Sequence, residues 1–377
     1  MLFKAKVTPS RVVIDPVSHC PPTRKLGSFP LPLMCDASDR SGMIRDARVL
    51  QDDHLPREIV HRHEEMNQLA AALSPVVDGD RPQHALLTGP SGAGKTCIAR
   101  ATLDRLQEQV LDVRTAHVDC WLHTGDFRVL YELLESIGTT YDIHRSTPRD
   151  ELLDRLEAVD RPFLIVLDEA DQLENPGLLR RLYAVPQVTM ILATNRERAL
   201  LDPLDQRLQS RLRSSEHVAF DSYSRAELVA ILERRAGRGL ADGAVTTGQL
   251  DRMAEAAGGN ARDAIGILRS AARRAERDDA GRIRDADIEE AIPAARRTLR
   301  QKSLDRLSQH QLAVYEVLRE AGELMPKEIV PRYAARVEDP RSKRTVRKYL
   351  RKLEQYNLIE SAGEGPSRVY RLTEGHP

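Results

Sequence analysis

From about Glu58 the chain alternates short apolar runs with amphipathic stretches. "EIVHRHEEMNQLAAAL" sets Ile59, Met66, Leu69, Ala70 and Leu73 along one helical stripe. The runs "HALLT" (84–88), "VRTAHVD" (113–119), "FLIVLD" (163–168), "VTMILAT" (188–194) and "EHVAF" (216–220) predict strands, with helices expected from near Thr96, Phe127, Pro148 and Pro176. Apolar strands separated by helices imply a parallel sheet covered on both faces. After Phe220 the strand signals stop. "SRAELVAILERRA", "TGQLDRMAEAAG", "NARDAIGILRSAARRAER" and "DADIEEAIPAA" predict four helices, with Ser224 and Asp285 as N-caps and Gly258-Gly259 closing the second.

From about residue 300 three more helices are expected, in "SLDRLSQHQLAVYEVLREAG", "MPKEIVPRYAARV" and "SKRTVRKYLRKLEQYNLIE", followed by a hairpin in "LIESAGEGPSRVYRL". In the third, Val346, Leu350 and Leu353 recur at helical spacing and bury one stripe, which leaves Arg344, Arg347, Lys348 and Arg351 on the other side. Three helices and a hairpin make a winged helix, whose third helix enters the major groove of DNA. Residues 362–368, ending in Arg368, form its wing. The domains are then a tail or mis-assigned start over 1–42 (Met43 being the alternative start), a nucleotide-binding core over 43–221, a helical lid over 222–298 and a winged-helix DNA-binding domain over 299–377.

Composition sharpens this. The 377 residues hold 57 basic and 57 acidic side chains, yet residues 300–377 hold 16 Lys and Arg against 11 Asp and Glu, so the tail is basic and the remainder acidic. That segregation suits a face that contacts phosphates, although a charge run on a helix is often only solvated. No run reaches the roughly 18 apolar residues of a membrane span, and the N-terminus lacks a secretion signal. Cys20, Cys35, Cys97 and Cys120 show no metal-ligand spacing and read as reduced, cytoplasmic thiols.

"GPSGAGKT", Gly89-Pro90-Ser91-Gly92-Ala93-Gly94-Lys95-Thr96, follows the first strand and opens a helix, the context a P-loop requires. Its backbone N–H groups would cradle phosphates of ATP or ADP, with Lys95 on the β/γ-phosphates and Thr96 on Mg²⁺. "FLIVLDEADQLE" ends a buried strand in Asp168, a second Mg²⁺ contact, and Glu169, which would polarise the water that attacks the γ-phosphate. "ILATNRE" puts Asn195 at the next strand end, where its amide could orient the same water.

These motifs with a following lid resemble the AAA+ ATPases over residues 55 to 295. "GGNARDAIGIL", "DCWLHTGDFRVLYELLESIG" and "HLPREIVHRHEEM" narrow the resemblance to archaeal DNA replication initiators of the origin-recognition-complex/cell-division-control type, the haloarchaeal branch in particular. The resemblance implies that Arg262 reaches from lid to γ-phosphate, and that Tyr223 and Arg235 contact nucleotide, lid packing being the other reading of Tyr223. It also implies that Arg211, with Arg207 as rival, acts on the γ-phosphate of a neighbouring copy or paralogue. Such proteins bind double-stranded origin DNA through the winged helix and the "DCWLHTGDFRVLYELLESIG" segment. They help load the minichromosome maintenance helicase, and slow hydrolysis makes ATP a switch. A nucleotide-regulated transcription regulator and another AAA+ remodeller or clamp loader are the alternatives, the latter opposed by the basic tail.

Overall fold

The five core strands form one parallel sheet, β1 (Ala85–Thr88), β2 (Arg114–Asp119), β3 (Phe163–Asp168), β4 (Val188–Thr194) and β5 (Glu216–Ala219), in the order β2-β3-β4-β1-β5. The computed structural model describes residues 42–110, 112–363 and 368–373. The tail ahead of Gly42, with Cys20 and Cys35, and residues 364–367 of the expected wing lie outside the described residues.

Alternate residues of β3 serve opposite faces of the sheet, which is why its run is apolar throughout. Phe163, Ile165 and Leu167 join the core beneath α3 (Asp126–Ser136), α4 (Arg149–Glu157), α5 (Gly177–Ala184), α6 (Glu197–Leu201) and α7 (Gln206–Arg213). Leu164 and Val166 face α1 (His63–Leu73) and α2 (Lys95–Gln109).

The lid is four helices, α8 (Arg225–Gly239), α9 (Thr247–Ala257), α10 (Ala261–Arg277) and α11 (Asp285–Asp305). Ser224 caps α8 in a capping box with Glu227. At α11 the cap position belongs to Arg284 rather than to Asp285, and Asp287 closes the turn by accepting from the Arg284 N–H. Residues 43–50, assigned from sequence to the nucleotide-binding core, pack on the lid instead. Met43 and Leu50 lie in its apolar core, and Ala241 N–H donates to Met43 O at 2.7 Å. Gly239 admits Leu50, since a Cβ there would stand 2.9 Å from Leu50 Cδ2.

α11 also runs unbroken past the expected lid border at 298–299 and leads directly into the last domain. There α12 (Gln309–Ala321), α13 (Pro326–Ala334) and α14 (Lys343–Gln355) pack with an antiparallel sheet of β6 (Glu323–Leu324), β7 (Ile359–Ala362) and β8 (Val369–Leu372), ordered β6-β8-β7. This is the winged-helix arrangement. Val346, Leu350 and Leu353 are all buried in its core, as their spacing predicts.

His84, just ahead of β1, gives a stability expectation. Its Nδ1 accepts the Met190 N–H at 2.9 Å, its ring packs on Tyr183, and burial lowers its pKa to about 4. Because the folded pKa lies below the unfolded one, the stabilisation is complete above the ordinary histidine pKa and is lost as pH falls toward 4. Denaturant unfolding at pH 7 and pH 5 should differ by about 2 kcal/mol more for wild type than for H84Q.

Candidate functional site

Topology places the chemistry. β4 lies between β1 and β3, so the residue after β4 falls between the loop that follows β1 and the carboxylates that end β3. That residue is Asn195. Its Oδ1 accepts from Lys95 Nζ at 2.9 Å, and the same ammonium donates to Gly89 O at 2.7 Å and Pro90 O at 2.8 Å. Burial draws the Lys95 pKa down to about 8 although Asp168 and Glu169 oppose the shift.

Gly89, Ser91, Gly92, Ala93 and Gly94 wrap the start of α2, whose first turn no side chain caps, leaving its N–H groups for a ligand. Two of the glycines are required by the lid. A Cβ on Gly92 would stand 1.9 Å from Asn260 Oδ1, and one on Gly94 would stand 2.6 Å from the Tyr223 hydroxyl. Asn260 caps α10, and Ala261 N–H donates to Gly92 O at 3.2 Å, so the lid rests directly on the loop.

Thr96 Oγ1 donates to Asp168 Oδ2 at 2.6 Å. Burial alone would raise the Asp168 pKa, but His117, Thr96 and Lys95 outweigh it and hold the carboxyl below its usual range. His117, which sequence reasoning missed, stands on β2 with Nε2 3.7 Å from Asp168 Oδ2. The parallel pairing of β2 with β3 brings it there. The carboxylate–hydroxyl pair beside the loop fits a Mg²⁺ ion whose other ligands are phosphate and water. Among the described residues no group of three His, Cys, Asp or Glu side chains forms a separate metal cluster.

Glu169 takes a left-handed backbone (φ 52°), uncommon for a residue with a Cβ. Burial first, then Asp168, Asp119 and Asp171, push its pKa up to about 7 against the donated hydrogen bond of the Tyr356 phenol. Tyr356 follows α14, and the sequence gives no sign of this contact across 187 positions.

The remaining candidates are placed as follows. Tyr223 packs its ring in the lid core, the second of its two readings, and its hydroxyl lies toward Gly94; the Arg62 guanidinium lies 4.2 Å over the ring. Arg235 is buried and donates to Val49 O at 2.6 Å, Gln51 O at 3.2 Å and His54 O at 2.9 Å, fixing the segment that leads into the core. Arg262 is exposed in the first turn of α10, its charge close enough to Lys95 to oppose protonation there. Arg207 and Arg211 are exposed on α7, apart from the Lys95–Asp168 cluster, with Arg211 over the Tyr183 ring at 5.1 Å. On α14, Arg344, Arg347, Lys348 and Arg351 are exposed, as is Arg368 ahead of β8. Lys352 of the same cationic run is buried, its ammonium 5.7 Å over Trp121 and its pKa lowered by burial to about 8.

Residues 78–217 match the family described as AAA domain, and residues 229–293 match the Cdc6 AAA+ ATPase-type lid domain. The chain is 48% identical over 334 residues to ORC1-type DNA replication protein 9 of Halobacterium salinarum, covering 88% of this chain and 94% of that one. It is 44% identical over 307 residues to ORC1-type DNA replication protein 1 of the same organism, covering 81% and 100%. The Aeropyrum pernix ORC1 protein, solved in complex with DNA, superposes with a TM-score of 0.71 at 26% identity over 88% of this chain and 93% of that one. Among the described residues no helix is long and apolar enough to cross a membrane.

Proposed function

The chain belongs to the ORC1-type DNA replication protein family, and from that membership we propose that it is an ATP-switched initiator that binds duplex origin DNA and helps recruit the replicative helicase in the cytoplasm. The observation that carries the switch is the seat of α10 on the P-loop together with the unbroken run of α11 into the winged helix. The domain that senses the nucleotide is thereby joined to the one that grips DNA.

The uncapped first turn of α2 and the Lys95 ammonium bind the triphosphate. Thr96 and Asp168 would hold Mg²⁺, which neutralises phosphate charge when bound. Glu169 takes a proton from the attacking water as the bond from the γ-phosphorus to the ADP oxygen breaks. Asn195 holds Lys95 and faces the same space. Arg262 supplies charge from the lid in cis. Arg211 is exposed and packs on Tyr183 with no contact to Lys95 or Asp168 in its own copy, which supports a role in trans on a second copy or a paralogue. The exposed cations of α14 and Arg368 contact DNA phosphates.

Glu169→Gln should bind ATP with unchanged affinity while hydrolysis drops about 100-fold or more, read by calorimetry and phosphate release. Equal hydrolysis in both proteins would remove Glu169 from the reaction. Genome-wide footprinting tests the biological role. Occupancy clustered at one intergenic repeat array fits an initiator, whereas scattered promoters fit the transcription regulator.

A further inference from the structure

The last turn of α14 lies on the ATPase core. The Tyr356 phenol donates to Glu169 Oε2, and its ring stacks on Trp121 with centroids 3.4 Å apart and planes at 23°. Gln355 Nε2 donates to Asp171 Oδ2 at 2.8 Å, and Gln172 Nε2 donates back to Gln355 Oε1 at 2.9 Å. Arg306, at the end of α11, covers the Trp121 ring at 5.4 Å beside Lys352. Trp121 is thus a socket for the winged helix, buried to 6% exposure.

We propose that Tyr356 and Gln355 are positioning residues for ATP hydrolysis: docked as here they hold Glu169 away from the attacking water, and duplex DNA frees it by drawing α14 out of the socket. The inference rests on Glu169 being the general base of the proposed function.

A carboxylate whose oxygen accepts a phenolic hydrogen bond is held in one direction, here toward Tyr356. The donor comes from a different domain than the phosphate loop. Asp171 extends the effect, because its other oxygen accepts from Thr194 Oγ1 at 2.8 Å, and Thr194 directly precedes Asn195. Glu169 is thus hydrogen-bonded directly to the residue that ends α14, and Asn195 is reached from Gln355 through Asp171 and Thr194.

The same helix carries Arg344, Arg347, Lys348 and Arg351 outward. At 13 residues it is roughly 20 Å long, and a recognition helix lies in a major groove about 12 Å wide and 8.5 Å deep. The core covers its last turn in this docking. A groove that took the helix over its full length would displace the socket.

The test uses the full chain. Y356F keeps the ring and its stack and removes only the hydroxyl. Its kcat without DNA should rise about 3- to 10-fold with KM for ATP unchanged, and duplex DNA should stimulate it less than wild type. Trp121 is the only tryptophan in the sequence. Its quenching by acrylamide should increase when saturating duplex is added to wild type, and equally in E169Q, where turnover plays no part. A kcat in Y356F that is lowered or unchanged overturns the proposal, as does quenching that ignores DNA. Loss of hydrolysis in E169Q alongside an indifferent Y356F would leave Glu169 as the base and remove only the latch.

Discussion

Lys95→Ala should lower ATP affinity about 100-fold or more while the thermal midpoint moves little. The two effects separate because of where the ammonium sits. It donates to Gly89 O, Pro90 O and Asn195 Oδ1, on residues that are not themselves fully buried, so water can replace it once the lysine is gone. The triphosphate has no such substitute. Losing a charge-assisted contact to phosphate at a largely desolvated site costs about 1.5–3 kcal/mol per bond, and each 1.4 kcal/mol is a factor of ten. Arginine should not rescue, since the planar guanidinium cannot make the three converging donations of an ammonium. Calorimetric titration with ATP checks the expectation, and unchanged affinity would remove the loop from nucleotide binding.

Arg347→Ala combined with Lys348→Ala should weaken duplex binding about 100-fold at low salt, and the slope of log K against log salt should become shallower by roughly 2. Both side chains are exposed on α14, while Val346 and Leu350 beside them are buried, so the substitutions leave the apolar stripe intact. Each cation on a phosphate releases counterions, so removing two lowers the slope by about 0.9 each on B-form DNA. The loss should be nearly equal for origin and unrelated duplexes, because phosphate contacts carry position rather than sequence. Fluorescence anisotropy over a salt series checks it. An unchanged slope would move the DNA face off this helix.

Much of this was legible in the chain because its signals are local. The five strands declare themselves by apolar runs, and the P-loop by residues that are adjacent in sequence. Asp168 and Asn195 end strands whose order the parallel pattern constrains. What stayed hidden depends on contacts between distant segments. Lys352 reads like the other cations of its run, yet it neighbours Leu353 on the edge of the buried stripe, where a long aliphatic stem can lie against a ring. The resemblance implies a nucleotide contact for Arg235; the carbonyls it holds here come from residues 49–54, whose irregular sequence gives no period to follow. Tyr356 looks like a residue closing a helix, and only the docking of the winged helix gives its hydroxyl a partner.

α11 has a mechanical consequence. Its 21 residues make an arm roughly 31 Å long, in which Pro293 leaves one helical hydrogen bond unmade. One end belongs to the four helices seated on Gly92, and the other enters the winged helix. A tilt of about 10° at the P-loop would sweep the far end through roughly 5 Å, more than the 3.4 Å rise of one base pair. A lid motion of that size would thus carry the winged helix through more than the spacing of one base pair.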